Sequence, residues 1–436
     1  MRTPPLPPKV AELLRQPPGP FQPSFWRSPL RGPWLTSILG MILLVGLAIV
    51  FLTGLLSYAA YNPRLGGPYN DLTPGKGILG FYLFTWPTRP AWLYQLTQGL
   101  HVLVGIALVP VLVAKLWSVI PKLFAWPPVD SPAQAVERGS LLLVVGGGIF
   151  EFATGIINVQ YWYEFPAGFY TAHFYGAWIF LAGLTVHVVV RFGRMMRALR
   201  GTRLRDVLRT NVDDTRAEPA DQQGLATPNP APATMSRRGV LALIAGSSFL
   251  LLLVSAGQTL GGPFRRLALL VPRGGTEGRT TNDFQVNKTA ASRGVTAAMA
   301  GPSWRLTLNG VRAVELSRDD LLAMPQHTER LPLACVEGWS TTQNWTGVRL
   351  RDLAELTGAL DTAGTVLVES LQARGAFRSV RLARNQLLDE RSLLVLRVNG
   401  ADISMDHGFP ARIIVPNNPG VHNTKWVTRM TFERAR

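Results

Sequence analysis

The chain has 436 residues, enough for two or three domains, and its single cysteine excludes an intramolecular disulfide framework and a zinc or iron–sulfur site built from several cysteines. A formal net charge of +17 could indicate nucleic-acid binding, but the basic residues lie beside long apolar runs. An arginine-rich segment over residues 191–209 directly follows one of these runs, which is typical of a membrane protein with cationic cytoplasmic loops. We therefore expect membrane lipid, and no nucleic acid, as a partner.

The amino-terminal part contains several apolar stretches long enough to cross a bilayer, which takes roughly 20 residues. Residues 1–33 before them are rich in proline and basic side chains and predict a poorly ordered cytoplasmic tail. The apolar stretches are residues 34–60, 91–116, 140–159, 171–190 and 240–260. The first four predict an all-α transmembrane four-helix bundle over residues 34–195.

Charged residues at the ends of these stretches predict their orientation. Arg27 and Arg31 precede the first stretch, Lys115, Lys122 and Arg138 lie around the connection from the second to the third, and the arginine-rich segment follows the fourth. Because Lys and Arg are enriched in cytoplasmic loops, the amino terminus is expected inside a bacterial cytoplasmic membrane. After a fifth crossing, the carboxy-terminal part is expected on the outer, periplasmic side.

The fifth crossing follows residues 196–238, a predicted cytoplasmic linker whose later part is rich in Pro, Ala and Asp. Arg237 and Arg238 lead into the apolar residues 239–260, and this pair resembles a twin-arginine export signal, with Val240 where Phe is commoner. An ordinary basic flank of a membrane helix is the alternative. Export in the folded state suits a protein that takes up a cofactor in the cytoplasm, so the twin-arginine export machinery is an expected partner.

Residues 273–436 predict a separate mixed α/β domain with substantial antiparallel content. "WRLTLNG" (304–310) alternates and ends in Asn-Gly, which indicates a strand and a turn. "SRDDLLAMP" (317–325) predicts a short helix with a Ser cap, and "RLRDLAELTG" (349–358) predicts a helix that ends at Gly358. Further strands are predicted at "TVLVES", "SLLVLRVNG", "ARIIVP" and "KWVTRMTF".

The lone cysteine lies in "LPLACVEGWST" (331–341). A thiolate is a soft ligand that suits redox transition metals, but one thiolate cannot hold a metal by itself. A metal carried by an organic chelate needs only one protein ligand, together with donors for the polar and phosphate groups of the chelate. "DHGFPARIIVP" (406–416) and "NTKWV" (423–427) supply His407, Arg412 and Lys425 as such donors. A buried core thiol is the alternative for Cys335.

These segments resemble the sulfite oxidase family of molybdenum-cofactor enzymes over residues 300–432. "CVEGW" with "NWTGVRLRDL" is similar to the metal-binding segment of the family, which implies that Cys335 ligates molybdenum. Residues 406–416 and 423–427 are similar to the segments of the family that hold the pterin and its phosphate. The resemblance therefore implies that His407, Arg412 and Lys425 hold these groups. The arginine cluster that binds sulfite in this family is not evident in the sequence, and no dimerisation domain is expected. On both counts the sequence resembles more closely the short bacterial branch of the family, which includes reductases of oxidised sulfur compounds. Glu337 is a candidate proton relay, with a surface salt bridge as the alternative.

Three histidines fall in the predicted crossings: His101, His173 and His187. Ionisable residues inside a membrane are costly and often functional, and imidazole is a common haem-iron ligand. At about 1.5 Å per residue, His101 and His173 differ in depth by roughly 6 Å and His101 and His187 by roughly 15 Å, so the first two are the expected haem pair. Hydrogen bonds between helices are the alternative role.

The four crossings resemble the bacterial di-haem cytochrome b family that serves formate dehydrogenases and nickel hydrogenases. In that family the fourth helix carries two histidines, one of which pairs with the first helix. The first crossing here has no histidine, so one haem b is expected, and a remnant or a hydrogen-bonding residue is left as the role of His187.

Together these features predict a membrane-anchored molybdopterin-dependent oxidoreductase that transfers an oxygen atom to or from a small oxo or sulfur compound outside the membrane. Its expected cofactors are molybdenum-molybdopterin and one haem b, through which it would exchange electrons with quinone. Two alternatives stay open: the same enzyme with helices that are only an anchor without haem, and a non-enzymatic exported binding module.

Overall fold

A computed structural model describes residues 17–61, 83–127, 131–160, 169–219, 224–271, 280–373, 375 and 377–435. Residues 1–16 of the predicted tail and residues 273–279 of the predicted carboxy-terminal domain lie outside these ranges. The chain divides into two compact units. The first comprises Met1–Ala48, Val104–Thr154 and Tyr175–Leu252, and the second comprises Ile49–Leu103, Gly155–Phe174 and Leu253–Arg436.

Five of the described helices are long and apolar enough to cross a membrane. They are α1 (Pro33–Tyr61), α2 (Leu93–Leu123), α3 (Pro132–Val159), α4 (Phe169–Gly201) and, after the short α5 (Leu204–Arg209), α6 (Arg237–Leu260). Each predicted apolar stretch lies within or close to one of them. Helices α2, α3 and α4 continue beyond the apolar residues because the flanking Lys, Arg, Glu and Ala residues are good helix formers.

Within the first unit, the linker and the start of α1 are joined by polar contacts. The backbone N–H of Trp34 donates to Glu218 Oε2 at 3.0 Å, and Arg237 donates to the Arg216 carbonyl at 2.9 Å. Further along, Lys115 Nζ donates to the Thr36 carbonyl at 2.5 Å. Part of the Pro-rich linker is therefore ordered by hydrogen bonds.

The carboxy-terminal domain contains two five-stranded sheets. The first sheet has the order β2-β1-β10-β5-β6, in which β1 and β10 are parallel and the other pairs antiparallel. The second sheet is antiparallel and has the order β3-β4-β7-β8, with β9 also paired to β7. The strands are β1 (Leu306–Asn309), β2 (Ala313–Leu316), β3 (His327–Ala334), β4 (Ser340–Arg349), β5 (Ala363–Ser370), β6 (Ser379–Ala383), β7 (Leu393–Val398), β8 (Ala401–Asp402), β9 (Arg412–Ile414) and β10 (Val427–Arg434).

Three short helices lie between the strands: α7 (Arg318–Ala323), α8 (Leu350–Leu356) and α9 (Arg384–Leu388). The predicted Ser cap of α7 is present, because Ser317 Oγ accepts the Asp320 N–H and the Asp320 carboxylate accepts the Ser317 N–H. Gly358 follows α8 with φ +71°, a conformation that favours glycine and ends the helix.

The first four residues of the central strand β7 (393–396) form a continuous apolar run, whereas Arg397 is exposed. Leu394 and Leu396 point into the main core, which the first sheet also lines, and Leu393, Val395 and Val398 point into a second cluster. A strand segment that is buried on both faces needs apolar residues on both. The second cluster also contains Cys335, and it forms one wall of the site described next.

Candidate active site

Cys335 lies in the tight turn of a long hairpin, directly after β3 and five residues before β4 begins. The Cys335 N–H donates to the Trp339 carbonyl at 2.9 Å, and the Gly338 N–H donates to the Cys335 carbonyl at 3.0 Å. Gly338 has φ +88°, which a residue with a β-carbon rarely adopts. Sequence reasoning did not predict β3 and β4, because "HTERLPLA" and "STTQNWTGVR" combine charged, proline and apolar residues without clear alternation.

The thiol of Cys335 is buried and contacts one side chain that the sequence did not single out. Asn287 Nδ2 lies 3.1 Å from Cys335 Sγ and donates to Glu337 Oε2, also at 3.1 Å. Glu337 is only 5% exposed, which excludes the alternative of a surface salt bridge. Asn287 therefore joins the candidate metal ligand to the candidate proton relay.

Burial raises the pKa of the Cys335 thiol well above its usual range, and the nearby negative charge of Glu337 raises it further. A thiol in this environment stays protonated at neutral pH unless a cation replaces the proton. A bound metal ion does this, because a coordinating thiol is deprotonated outright. A raised pKa is therefore compatible with a metal ligand and equally with a buried core thiol.

His407, Arg412 and Lys425 lie on the chain between β8 and β10. His407 ends a single 3-10 turn, Met405–His407, and its N–H is 3.3 Å from Ser404 Oγ. Arg412 is the first residue of β9 and donates to the His407 carbonyl at 2.9 Å. Lys425 precedes β10 and donates to the carbonyls of Lys288 and Asp406 at 2.8 and 2.7 Å.

Arg412 and Lys425 bring positive charge into the protein interior. Burial lowers the pKa of Arg412 to about 9, and burial together with Arg412 lowers that of Lys425 to about 7. In the described part of the chain both cations donate to backbone carbonyls rather than to carboxylates, and Arg412 Nε has no hydrogen-bond partner there. Buried cations are normally paired with an anion. This pair is therefore suited to hold an anionic group such as a phosphate.

His407 is a neutral member of the same set. Burial, and then the positive charges of Arg412 and Lys425, lower its pKa to about 3. Its Nε2–H donates to the Asn282 carbonyl at 2.8 Å, and its ring stacks on Phe284 with centroids 3.6 Å apart. The ring is thus held in one orientation, with Nδ1 as the nitrogen that carries no proton.

Residues 282–288 connect the pair Cys335 and Glu337 with the group formed by His407, Arg412 and Lys425. Asn282 binds His407 through its carbonyl, Asn287 contacts Cys335, and the Lys288 carbonyl accepts from Lys425. Trp345 adds a shared wall: the Phe284 ring lies edge-on to it, and the Arg412 guanidinium lies 5.2 Å from its ring centre. Sequence reasoning missed this segment, because "TNDFQVNK" has no periodicity and no metal-ligand spacing.

Of the three membrane histidines, His101 and His173 lie close together. The rings of His101 and His173 lie 6.2 Å apart between centroids, with their planes at 78°. His101 Nδ1 is 2.9 Å from the Val50 carbonyl, so this nitrogen carries the proton and Nε2 has a free electron pair. His187 belongs to the other compact unit.

Comparison with known proteins matches residues 293–436 to the family model of the oxidoreductase molybdopterin binding domain. The uncharacterized oxidoreductase YuiH of Bacillus subtilis is 31% identical over 134 residues, which cover 30% of this chain and 66% of that protein. The mitochondrial sulfite oxidase of Mus musculus is 32% identical over 28% of this chain and 27% of its own length. The catalytic subunit MsrP of a protein-methionine-sulfoxide reductase from Xanthomonas campestris is 29% identical over 34% of this chain and 51% of its own length. The chain spans less than two thirds of each of these relatives.

Proposed function

We propose that this chain, whose residues 293–436 form a molybdopterin-binding oxidoreductase domain of the sulfite oxidase type, is a membrane-anchored enzyme that transfers an oxygen atom to or from a small oxo or sulfur compound. The observation that carries the proposal is the buried Cys335 thiol, joined by residues 282–288 to two buried cations whose hydrogen bonds in the described residues go to backbone carbonyls rather than to carboxylates. A thiolate and an anion site next to each other are what a metal on a phosphate-bearing pterin requires.

The residues present fit that cofactor. Cys335 would bind the metal, Arg412 and Lys425 the phosphate, and His407, held flat against Phe284, the pterin. When bound, molybdenum supplies the exchange of two electrons and an oxygen atom with the substrate. The protein contributes the low-dielectric surroundings in which the charges of Arg412 and Lys425 act most strongly.

Glu337 would hold a proton at its carboxylate beside the metal ligand. Oxygen atom transfer takes up or releases protons when the oxygen becomes water, so a buried carboxyl group near Cys335 has a role in the cycle. Asn287 orients it, since its amide donates to Glu337 Oε2.

The relatives narrow the class of substrate. One is named a sulfite oxidase and another a reductase of methionine sulfoxide, so both a sulfite-like anion and a sulfoxide belong in the screen. We propose a small sulfur oxo compound that meets the domain on the outer side of a bacterial cytoplasmic membrane, with the amino terminus inside and membrane lipid around the helices.

For the membrane part we propose one haem b between His101 and His173, which exchanges electrons with quinone. His101 and His173 would hold the haem iron through their imidazole nitrogens. The ring centres of the two histidines lie 6.2 Å apart, and the Val50 carbonyl orients the His101 ring, which supports the pairing. A β-carbon at Gly54 would lie 3.2 Å from the His101 ring, so the glycine keeps this side of the histidine open.

The first experiment measures molybdenum and iron by elemental mass spectrometry on full-length protein from a host that makes the cofactor and exports folded proteins. Equal amounts of the two metals are the expected result. Molybdenum without iron would reduce the helices to an anchor. Absence of molybdenum, in a host that loads a related enzyme, would leave an exported binding module.

The haem ligands are tested by three matched substitutions. His101→Leu and His173→Leu should each remove the haem absorbance, because either change leaves the iron with one protein ligand. His187→Leu is the control and should keep it. Haem retention in both of the first two variants would contradict the assignment.

A further inference from the structure

The turn that carries Cys335 is held by two of the long helices, within the second compact unit. From α2, Gln98 Nε2 donates to the Val336 carbonyl at 2.6 Å. From α6, Thr259 Oγ1 donates to the Gly338 carbonyl at 2.7 Å. Gln98 is 3% exposed and Thr259 is 8% exposed, so both donor side chains are buried, whereas the acceptor residue Val336 is half-buried.

The two helices differ in what else they carry. His101 lies three residues after Gln98 on α2, so the two side chains share one side of the helix, about 4.5 Å apart along its axis. Val102, four residues after Gln98, also contacts the turn, since a β-carbon at Gly338 would lie 2.8 Å from Val102 Cβ. Helix α6 has no histidine.

A short bonded route therefore leads from the candidate metal ligand to the candidate haem ligand. It runs from Cys335 through one peptide unit to the Val336 carbonyl, across one hydrogen bond to Gln98, and along one turn of α2 to His101. At 2.6 Å this hydrogen bond is short for an N–H···O contact.

We propose that Gln98 is a positioning residue for electron exchange between the two redox centres, which α2 joins. The inference rests on the proposed function, because it needs both the molybdenum cofactor and the haem. Gln98 fixes the peptide next to the metal ligand and ties it to the helix that bears His101. The step it serves is the passage of one electron between haem iron and molybdenum, in which one is oxidised and the other reduced, with no bond made or broken in the protein.

The test compares Gln98→Met with Thr259→Val in the full-length, cofactor-loaded protein. Each substitution removes one side-chain hydrogen bond to the same turn and nearly keeps the side-chain volume, but only the first lies on α2. A photoreduced flavin delivers one electron to the haem, and the haem absorbance then reports how fast the electron passes to the molybdenum centre. The haem midpoint potential and both metal contents are measured on the same samples.

We expect Gln98→Met to slow this transfer on the order of tenfold, which is the lower end of the effect of losing an outer hydrogen-bond partner of a metal ligand. The transfer rate of Thr259→Val should stay near that of the wild type. Metal contents and the haem potential should stay unchanged in both variants. An unchanged rate in Gln98→Met, or equal slowing in both variants, would overturn the proposal.

If Gln98→Met does not load its metals, Gln98→Asn serves in its place, because the shorter amide cannot span the same distance. Wild-type protein that lacks haem absorbance would instead show that the proposed function is wrong, before any variant is made.

Discussion

At the scale of single residues, the site is built from groups that are each unfavourable alone. Burial lowers the pKa of Lys425 to about 7 and of Arg412 to about 9, and raises that of Cys335. In each case burial disfavours the charged form of the group. A bound metal ion would favour the thiolate of Cys335, and a bound phosphate would favour the charged forms of Arg412 and Lys425. Cofactor binding is therefore linked to the protonation of these groups.

Lys425 gives the cofactor-free protein a specific pH dependence. Its pKa is 10.5 as a free side chain and about 7 in the folded protein, so the unfolded chain binds more protons between these values. The free energy of unfolding should therefore rise with pH above about 7, and Lys425 should contribute no slope below it. Thermal unfolding of cofactor-free protein between about pH 6 and 9 measures this.

Lys425→Met is the control for that slope, because it removes the titrating amine and keeps the aliphatic stem. The same slope in the variant would assign the pH dependence to another group. Asp406 and Arg293 also act on Lys425, the first favouring and the second opposing its charge.

Substitution of Asn287 should disturb the arrangement of Cys335 and Glu337 without preventing the binding of molybdenum. Asn287→Ala removes the contact with both Cys335 and Glu337, and we expect turnover of the oxo substrate to fall about 10–100-fold, as for other outer partners of metal ligands. Molybdenum content should be retained. Asn309→Ala, in β1 of the other sheet, is the matched control, and equal loss in both variants would argue for a general folding effect.

At the scale of elements, the hairpin β3–β4 presents Cys335, and its partner β7 sets the position of β4. At Gly347, β4 and β7 lie so close together that a β-carbon would overlap the Leu394 carbonyl oxygen. The pairing shifts register between Thr346 and Gly347, so the glycine also accommodates an irregularity in the ladder.

Gly347→Ala should therefore destabilise the carboxy-terminal domain by about 1–3 kcal/mol, the usual cost of forcing extra volume into a packed interior. Denaturation followed by tryptophan fluorescence measures the change, since Trp345 lies two residues away and is buried. Thr346→Ala, the half-buried neighbour, is the control and should cost less than about 1 kcal/mol. Equal stability of the Gly347 variant and wild type would mean that β4 and β7 can separate at no cost.

At the scale of the whole molecule, the order of segments along the chain gives the proposed topology. Arg237 and Arg238 open α6, the last membrane-length helix before the carboxy-terminal domain. The double substitution Arg237→Lys, Arg238→Lys keeps both positive charges, so a simple basic flank should still orient the helix. A twin-arginine signal depends on the arginines themselves.

We expect the double variant to leave the carboxy-terminal domain on the inner side of the membrane. Protease added to intact spheroplasts reports this, because it cleaves only a domain on the outer side. A single variant at Arg27, replaced by Lys, provides the control. Unchanged outer exposure of the domain in the double variant would make Arg237 and Arg238 an ordinary flank.

The sequence by itself determined the membrane-length helices and the mixed α/β class of the carboxy-terminal domain, and it predicted the residues of the candidate site. These follow from local signals: the length of apolar runs, the Ser317 cap, the glycine after α8, and two segments resembling a known family. It did not reveal β3 and β4, the strands around Cys335, whose mixed composition is stabilised by their pairing with each other, by the pairing of β4 with β7 and by the apolar cluster that contains Leu331, Leu333 and Trp345.

Only the tertiary structure decided what surrounds the cysteine. Asn287 and Gln98 come from segments 48 and 237 residues away in the chain, and neither has a local pattern that points to Cys335. The distance of 6.2 Å between His101 and His173 likewise depends on how α2 and α4 pack, whereas counting residues gives only their depth. Local chemistry is readable from neighbouring residues, but a site assembled from distant segments exists only once the chain has folded.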